Sequence, residues 1–155
     1  MRRATIAGPA ACLPRGCGRV VLRFRHDTCF IIGRSDDSMT IGELIQVLDA
    51  RVLQPGGDEK TEIDHVFAGD KMSALLEHAG PATLLVTSLA NAQLACVAEL
   101  MDCPALCLVD GAVAEPGLLE AAARGETALL VSRFDMFETC GRLHRRLSGG
   151  KLQRP

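Results

Sequence analysis

The sequence predicts an α/β fold in which a largely parallel sheet is flanked by helices. Three observations predict it. Over the last two thirds of the chain, apolar runs of strand length alternate with amphipathic runs of helix length: residues 82–88 lead into 91–101, residues 105–109 end at Asp110-Gly111, and residues 128–132 lead into 134–147. Such β-α succession favours parallel strands crossed by helices. Small or polar residues also stand at each strand exit, where a chain must turn. Finally, 155 residues with 48% hydrophobic content are enough for one domain with a sizeable core.

Composition narrows the function classes. Five Phe and no Trp or Tyr leave the core to Leu, Val, Ala and Ile, and leave few platforms on which nucleic-acid bases stack. Residues 1–38 hold seven Arg against three Asp, a balance of +4, whereas residues 39–155 hold ten basic and sixteen acidic groups, a balance of −6. An acidic body has no general attraction for nucleic acid or anionic lipid, so neither nucleic acid nor a membrane is expected as a partner.

The charge break divides the chain. Residues 1–38 are open to three readings. A targeting segment is disfavoured, because the apolar stretch after Arg3 contains Gly8 and Pro9 and lacks a small-residue cleavage site before Arg15. A hairpin is the second reading, pairing residues 20–24 with 29–32 around His26-Asp27-Thr28. The third and favoured reading is a start at Met39, with the Arg-rich extension 1–38 disordered or a gene-start artefact. Thr40 followed three residues later by Glu43 is the pattern of a capping box, and domains often begin at such a helix start. The domain is therefore expected over residues 39–147, with a flexible tail over 148–155.

Within that span, residues 40–50 form a helix with Ile41, Leu44, Ile45 and Leu48 on one stripe. Residues 51–53 form a short strand before the turn Gln54-Pro55-Gly56-Gly57-Asp58. Residues 63–68 form one strand ended by Gly69-Asp70. The helix over 71–77 is closed by Gly80-Pro81. The three later strands complete the sheet.

Cysteines and histidines carry little specific chemistry. Cys12, Cys17 and Cys29 lie in the extension, and Cys96, Cys103, Cys107 and Cys140 in the body, with no CxxC pair. Zinc and iron–sulfur sites usually need such pairs, so no metal ligand is assigned. The odd count, with no export signal, points to reduced thiols and a cytoplasmic location. Cys96 and Cys107 are expected as buried small hydrophobes, and Cys103 as the most exposed of the four. His26, His65, His78 and His144 form no HxxxH or HExxH pattern. His78 and the run His144-Arg145-Arg146 suit helix C-termini, where positive charge meets the dipole.

In open α/β sheets ligands usually bind at the carboxyl ends of the strands. The candidate ligand-binding residues there are Asp70, Ser73, Thr87, Ser88, Asn91, Asp110, Gly111 and Ser132. Each has a plainer alternative. Ser88 or Asn91 caps the next helix, Asp70 caps the helix at 71–77, and Asp110-Gly111 turns the chain. An anion would be expected over the helix beginning near Asn91. No catalytic residue is assigned and no cofactor is predicted, although a nucleotide or small anionic ligand fits the rim.

Three segments carry a family resemblance: Phe67-Ala68-Gly69-Asp70-Lys71-Met72-Ser73, Leu84-Leu85-Val86-Thr87-Ser88-Leu89-Ala90-Asn91-Ala92-Gln93, and Ser132-Arg133-Phe134-Asp135-Met136-Phe137-Glu138-Thr139-Cys140-Gly141. With the opening helix and strand over 39–52, the chain resembles a stand-alone DRTGG domain protein, over about residues 39–147. The Asp-Arg-Thr-Gly-Gly run itself is absent. Similar domains occur in phosphotransacetylases and CBS-domain pyrophosphatases and are related to the N-terminal domain of HPr kinase. The resemblance implies a Rossmann-like fold and a non-catalytic regulatory or ligand-sensing module. It also implies a homodimer and a partner enzyme such as a hydrogenase or kinase in a redox system. Kinase chemistry is not expected, because no GxxxxGK[ST] occurs and Gly149-Gly150-Lys151 lies in the tail without a following Ser or Thr. A small enzyme using the strand-end rim, or an iron–sulfur or metal carrier using the four body cysteines, are the alternatives.

Overall fold

The computed structural model describes residues 38–148 and the backbone of residues 21–25 and 28–32. In chain order the elements are β1 (Val21–Arg25), β2 (Thr28–Ile32), β3 (Met39–Thr40), α1 (Ile41–Leu48), β4 (Arg51–Gln54), β5 (Glu62–Ile63) and β6 (His65–Ala68). Then follow α2 (Met72–His78), β7 (Thr83–Thr87), α3 (Ala92–Leu100), β8 (Ala105–Leu108), α4 (Pro116–Arg124), β9 (Ala128–Val131) and α5 (Met136–Leu147). One mixed sheet has the order β1-β2-β6-β7-β8-β9-β4, and β3 pairs with β5 apart from it. Strands β6 to β9 are mutually parallel. The β1–β2 hairpin lies antiparallel against β6, and β4 lies antiparallel against β9.

The strands can be buried on both faces because their side chains alternate between two cores. Val66, Ala68, Leu84, Val86, Ala105, Cys107, Ala128 and Leu130 pack on one side with Ile41, Leu44 and Leu48 of α1 and Cys140, Leu143 and Leu147 of α5. The intervening Phe67, Leu85, Leu106, Leu108, Leu129 and Val131 pack on the other with Leu75 of α2, Leu94 and Val97 of α3, and Leu118 and Ala121 of α4. The result is three layers: α1 and α5, the sheet, then α2, α3 and α4. Each fully buried Leu contributes about 1.5–3 kcal/mol by its transfer from water.

Thr40 and Glu43 form the expected capping box: the Glu43 N–H donates to Thr40 Oγ1 at 3.2 Å and the Thr40 N–H to Glu43 Oε2 at 3.1 Å. Arg146 of α5 donates to the other oxygen, Glu43 Oε1, at 2.9 Å, so one carboxylate caps α1 and ties it to α5. The Thr40 N–H and then the Arg146 guanidinium hold the Glu43 carboxyl below its ordinary value of 4.5.

Four details differ from the sequence reading. The strand expected over 63–68 is broken at Asp64, because the N–H groups of Asp64 and His65 both turn to the Ala82 carbonyl, at 3.0 and 3.1 Å. Glu62–Ile63 then pairs with Met39–Thr40 while His65–Ala68 joins the main sheet. Helix α4, which the periodic pattern did not single out, carries the crossover from β8 to β9. Short strand β4 is the antiparallel edge, and the turn after it needs Gly56, where a Cβ would stand 2.4 Å from the Ala128 backbone nitrogen. Two stretches of the 1–38 extension are the hairpin β1–β2, one of the readings above. Its residues 1–20, 26–27 and 33–37, with Cys12, Cys17 and His26 among them, and the tail beyond Ser148 lie outside the described residues.

Two outcomes are expected. Both helical layers and all four parallel strands fall within residues 39–147, so a chain truncated to begin at Met39 keeps one cooperative thermal transition by circular dichroism. Its midpoint falls because the β6 edge loses β2, and a non-cooperative melt would place the extension in the core. The Glu43 shift fixes a sign for pH: a depressed folded-state pKa gives stability that is present above the unfolded value and lost as pH falls through the folded one. Relative to Glu43→Gln, the wild type should therefore lose urea resistance as pH drops below 4.5, and parallel curves for the two proteins would contradict the link.

Candidate strand-end site

The four parallel strands deliver their exits to one end of the sheet. At the β6 exit, Asp70 leaves the strand, and its Oδ1 accepts from Thr87 Oγ1 at 2.9 Å and from the Ser88 N–H at 2.7 Å. Asp70 therefore does not cap α2, whose N-cap position is Lys71 with no side-chain cap bond. It ties the β6 exit to the β7 exit. Thr87, fully buried, also receives the Leu89 N–H on its Oγ1 at 3.2 Å.

The remaining exits are tied in the same way. Asn91 is the N-cap of α3, its Oδ1 accepting from the Leu94 N–H at 3.3 Å, as a plain cap does. The Glu115 N–H donates to the Ala90 carbonyl at 3.0 Å, joining the loop after β7 to the start of α4. Asp110 and Gly111 both take left-handed backbone, φ 57 and 61, which Asp and Gly adopt more readily than other residues. That bend turns the Asp110 N–H to the Phe134 carbonyl at 2.9 Å and the Gly111 N–H to the Ser132 carbonyl at 2.8 Å. Buried Ser132 donates its hydroxyl to the Leu48 carbonyl at 3.4 Å and accepts from the Phe134 N–H at 3.2 Å, linking the β9 exit to the end of α1.

All the expected site residues lie at this end, in two groups and two single positions. Asp70, Thr87 and Ser88 form the first group. Asp110, Gly111 and Ser132 form the second. Asn91 caps α3, and Ser73 stands exposed in the first turn of α2. An anion over α3 meets a difficulty, since the Ser88 N–H and Thr87 hydroxyl that would receive it already hold a carboxylate.

Sequence reasoning missed Asp49, Arg133, Phe134 and Arg142. Asp49 ends α1 with left-handed backbone, φ 46, and pairs with Arg133 at 2.9 Å. Both partners are well exposed, so this pair adds little stability. Arg142 lies over the Phe134 ring at 3.8 Å and Arg133 at 5.1 Å, a doubly cation-flanked aromatic, while Arg142 Nε donates to Glu138 at 2.8 Å. The only local signal was Arg133-Phe134 beside a strand exit.

Topology also places a switch point. The loop after β8 leads to α4 on one face, whereas the loop after its parallel neighbour β9 leads to α5 on the other. Such a reversal is where open α/β sheets open toward ligands. Asp110, Gly111 and Ser132 stand there.

The thiols fall in a different order from that expected. Cys96 is exposed, because the α3 face it shares with Leu100 points away from the sheet, and Cys103 is buried beneath the turn after α3. Burial pushes the Cys103 thiol up, and pushes the Cys107 thiol up to about 12. Among the described residues, no group of three or more His, Cys, Asp or Glu side chains is gathered to hold a metal. Arg146 is taken by Glu43, and His78 stacks on Phe67 with ring centroids 4.4 Å apart. No helix among them is long and apolar enough to cross a membrane.

No family model matches the sequence, and no curated protein does. Among solved structures the chain is similar to the CBS and DRTGG domains of the regulatory region of Clostridium perfringens pyrophosphatase, complexed with its activator diadenosine tetraphosphate. The TM-score is 0.58 at 12% identity, over 76% of this chain and 49% of that one. The likeness shows the fold. The chain spans about half the length of that protein.

Alkylation of the folded protein at neutral pH, read by peptide mass spectrometry, should modify Cys96 well before Cys103, Cys107 or Cys140. Equal rates at Cys96 and Cys107 would contradict this packing.

Proposed function

We propose that the chain is a non-catalytic regulatory or ligand-sensing module that acts on a partner enzyme. The observation that carries this reading is the strand-end rim, whose exits are joined by hydrogen bonds from β6 through to α1, on a fold similar to that of a regulatory region bound to its activator. A rim joined in this way suits sensing. A ligand that moves one exit pulls on its neighbours, and through the Leu48 carbonyl on α1. The ligand is a nucleotide or small anionic metabolite, and the working form is a homodimer in the cytoplasm. The partner is a hydrogenase, kinase or other enzyme of a redox system, as the DRTGG resemblance implies.

A thermal-shift screen of the whole chain against nucleotides and phosphorylated metabolites tests this reading. A ligand at a hundred times its dissociation constant adds about 2.7 kcal/mol to the folded state, a shift that such a screen reads easily. At least one compound should raise the melting temperature saturably, and a flat response across the panel would remove the ligand-sensing reading.

A further inference from the structure

We propose that the outward face of α5 docks antiparallel on α5 of a second copy of the chain, with Gly141 at the crossing point. This surface is that of the homodimer in the reading above, on which it rests. Helix α5 turns Thr139, Cys140, Leu143 and Leu147 into the core. At 3.6 residues per turn its opposite face carries Phe137, Glu138, Gly141, His144 and Arg145, with Gly141 at the centre. Glycine weakens a helix interior, and the fold does not require this one: its backbone is not left-handed, and a Cβ there would meet no described atom within 4 Å. Such a position lets a second helix approach closely. One turn before it stands Phe137, 81% exposed, and one turn after it stands Arg145, exposed and without an ion pair among the described residues.

Charge fixes both the occupant and its direction. In a two-fold antiparallel contact centred on Gly141, what one copy offers before the glycine meets what the other offers after it. Glu138 and Arg145 lie on one flank of Gly141, and Phe137 and His144 on the other. Arg145 of one copy therefore comes beside Glu138 of the second, and Phe137 beside the His144 ring, each contact being made twice. Glu138 uses Oε1 for Arg142 of its own helix, which leaves Oε2 for the incoming guanidinium. A parallel contact would instead set Arg145 beside Arg145 and Glu138 beside Glu138, with the two helix dipoles aligned. The face complements itself only when the helices run oppositely. One helix face makes a small interface, so monomer and dimer should exchange.

Sedimentation velocity of the whole chain over a concentration series tests this surface. The wild type should shift from monomer to dimer as concentration rises, and Gly141→Leu should remain monomeric. Because position 141 opens to solvent in a single chain and Leu favours a helix more than Gly does, that variant keeps its circular dichroism spectrum and its melting temperature at low concentration, which separates loss of contact from loss of fold. Arg145→Glu should weaken association by about fivefold, the scale of one surface ion pair. Adding Glu138→Arg to the same chain should restore it, because the reversed charges again meet across the antiparallel contact. A dimer that Gly141→Leu leaves unchanged would overturn this surface while the homodimer itself stands. A dimer that the paired charge reversal fails to restore would overturn the antiparallel arrangement. A monomer at every concentration would overturn the surface and the homodimer together, whereas the ligand-sensing reading is judged separately by the thermal-shift screen.

Discussion

Because β6, β7, β8 and β9 run parallel and are buried on both faces, every connection between them must cross the sheet on a helix, and every loop leading to such a helix starts at the same end. The apolar strands cannot be wetted on either side without exposing one of the two cores. Loops and caps are therefore confined to the sheet's ends, where backbone groups no longer find ladder partners and must be satisfied by side chains or by each other. The candidate site is a consequence of that confinement.

The rim shows which interactions matter most. The contacts at Thr87 and Ser132 involve buried hydroxyls, whose loss would leave polar groups unsatisfied away from water at a cost of about 1–3 kcal/mol. The Arg133–Asp49 pair, exposed on both sides, is worth far less despite its 2.9 Å distance. Rigidity at this end comes mainly from short hydroxyl and amide bonds between neighbouring exits. The same bonds explain why left-handed backbone is placed at Asp110 and Gly111, since that bend aims two consecutive N–H groups at the β9 loop.

Several site residues were legible in the sequence because local chemistry marks them. A polar residue just before a helical run reads as a cap, which Asn91 is, and an Asp-Gly pair after an apolar run reads as a turn, which Asp110-Gly111 is. Asp70 was legible as a rim residue but not in its role, because its partners are seventeen and eighteen positions away. The Ser132 hydroxyl reaches a carbonyl eighty-four positions earlier, a contact no local pattern encodes. Cys96 and Cys103 were placed in the wrong order for a related reason. Helical spacing puts Cys96 with Leu100 but does not say whether that shared face looks inward or outward.

The sequence by itself determined the class of fold, the capping box at Thr40 and Glu43, and the approximate position of each later strand, because hydrophobic periodicity and capping are short-range effects written in neighbouring residues. Only the tertiary structure decided how the strands are ordered, that β4 turns antiparallel at one edge, that residues 63–68 divide between two sheets, and that the loops after β8 and β9 leave for opposite faces. Those outcomes depend on which face each helix covers. That choice is made by packing between residues far apart in the chain, where burial of the whole apolar surface outweighs the preference of any single segment.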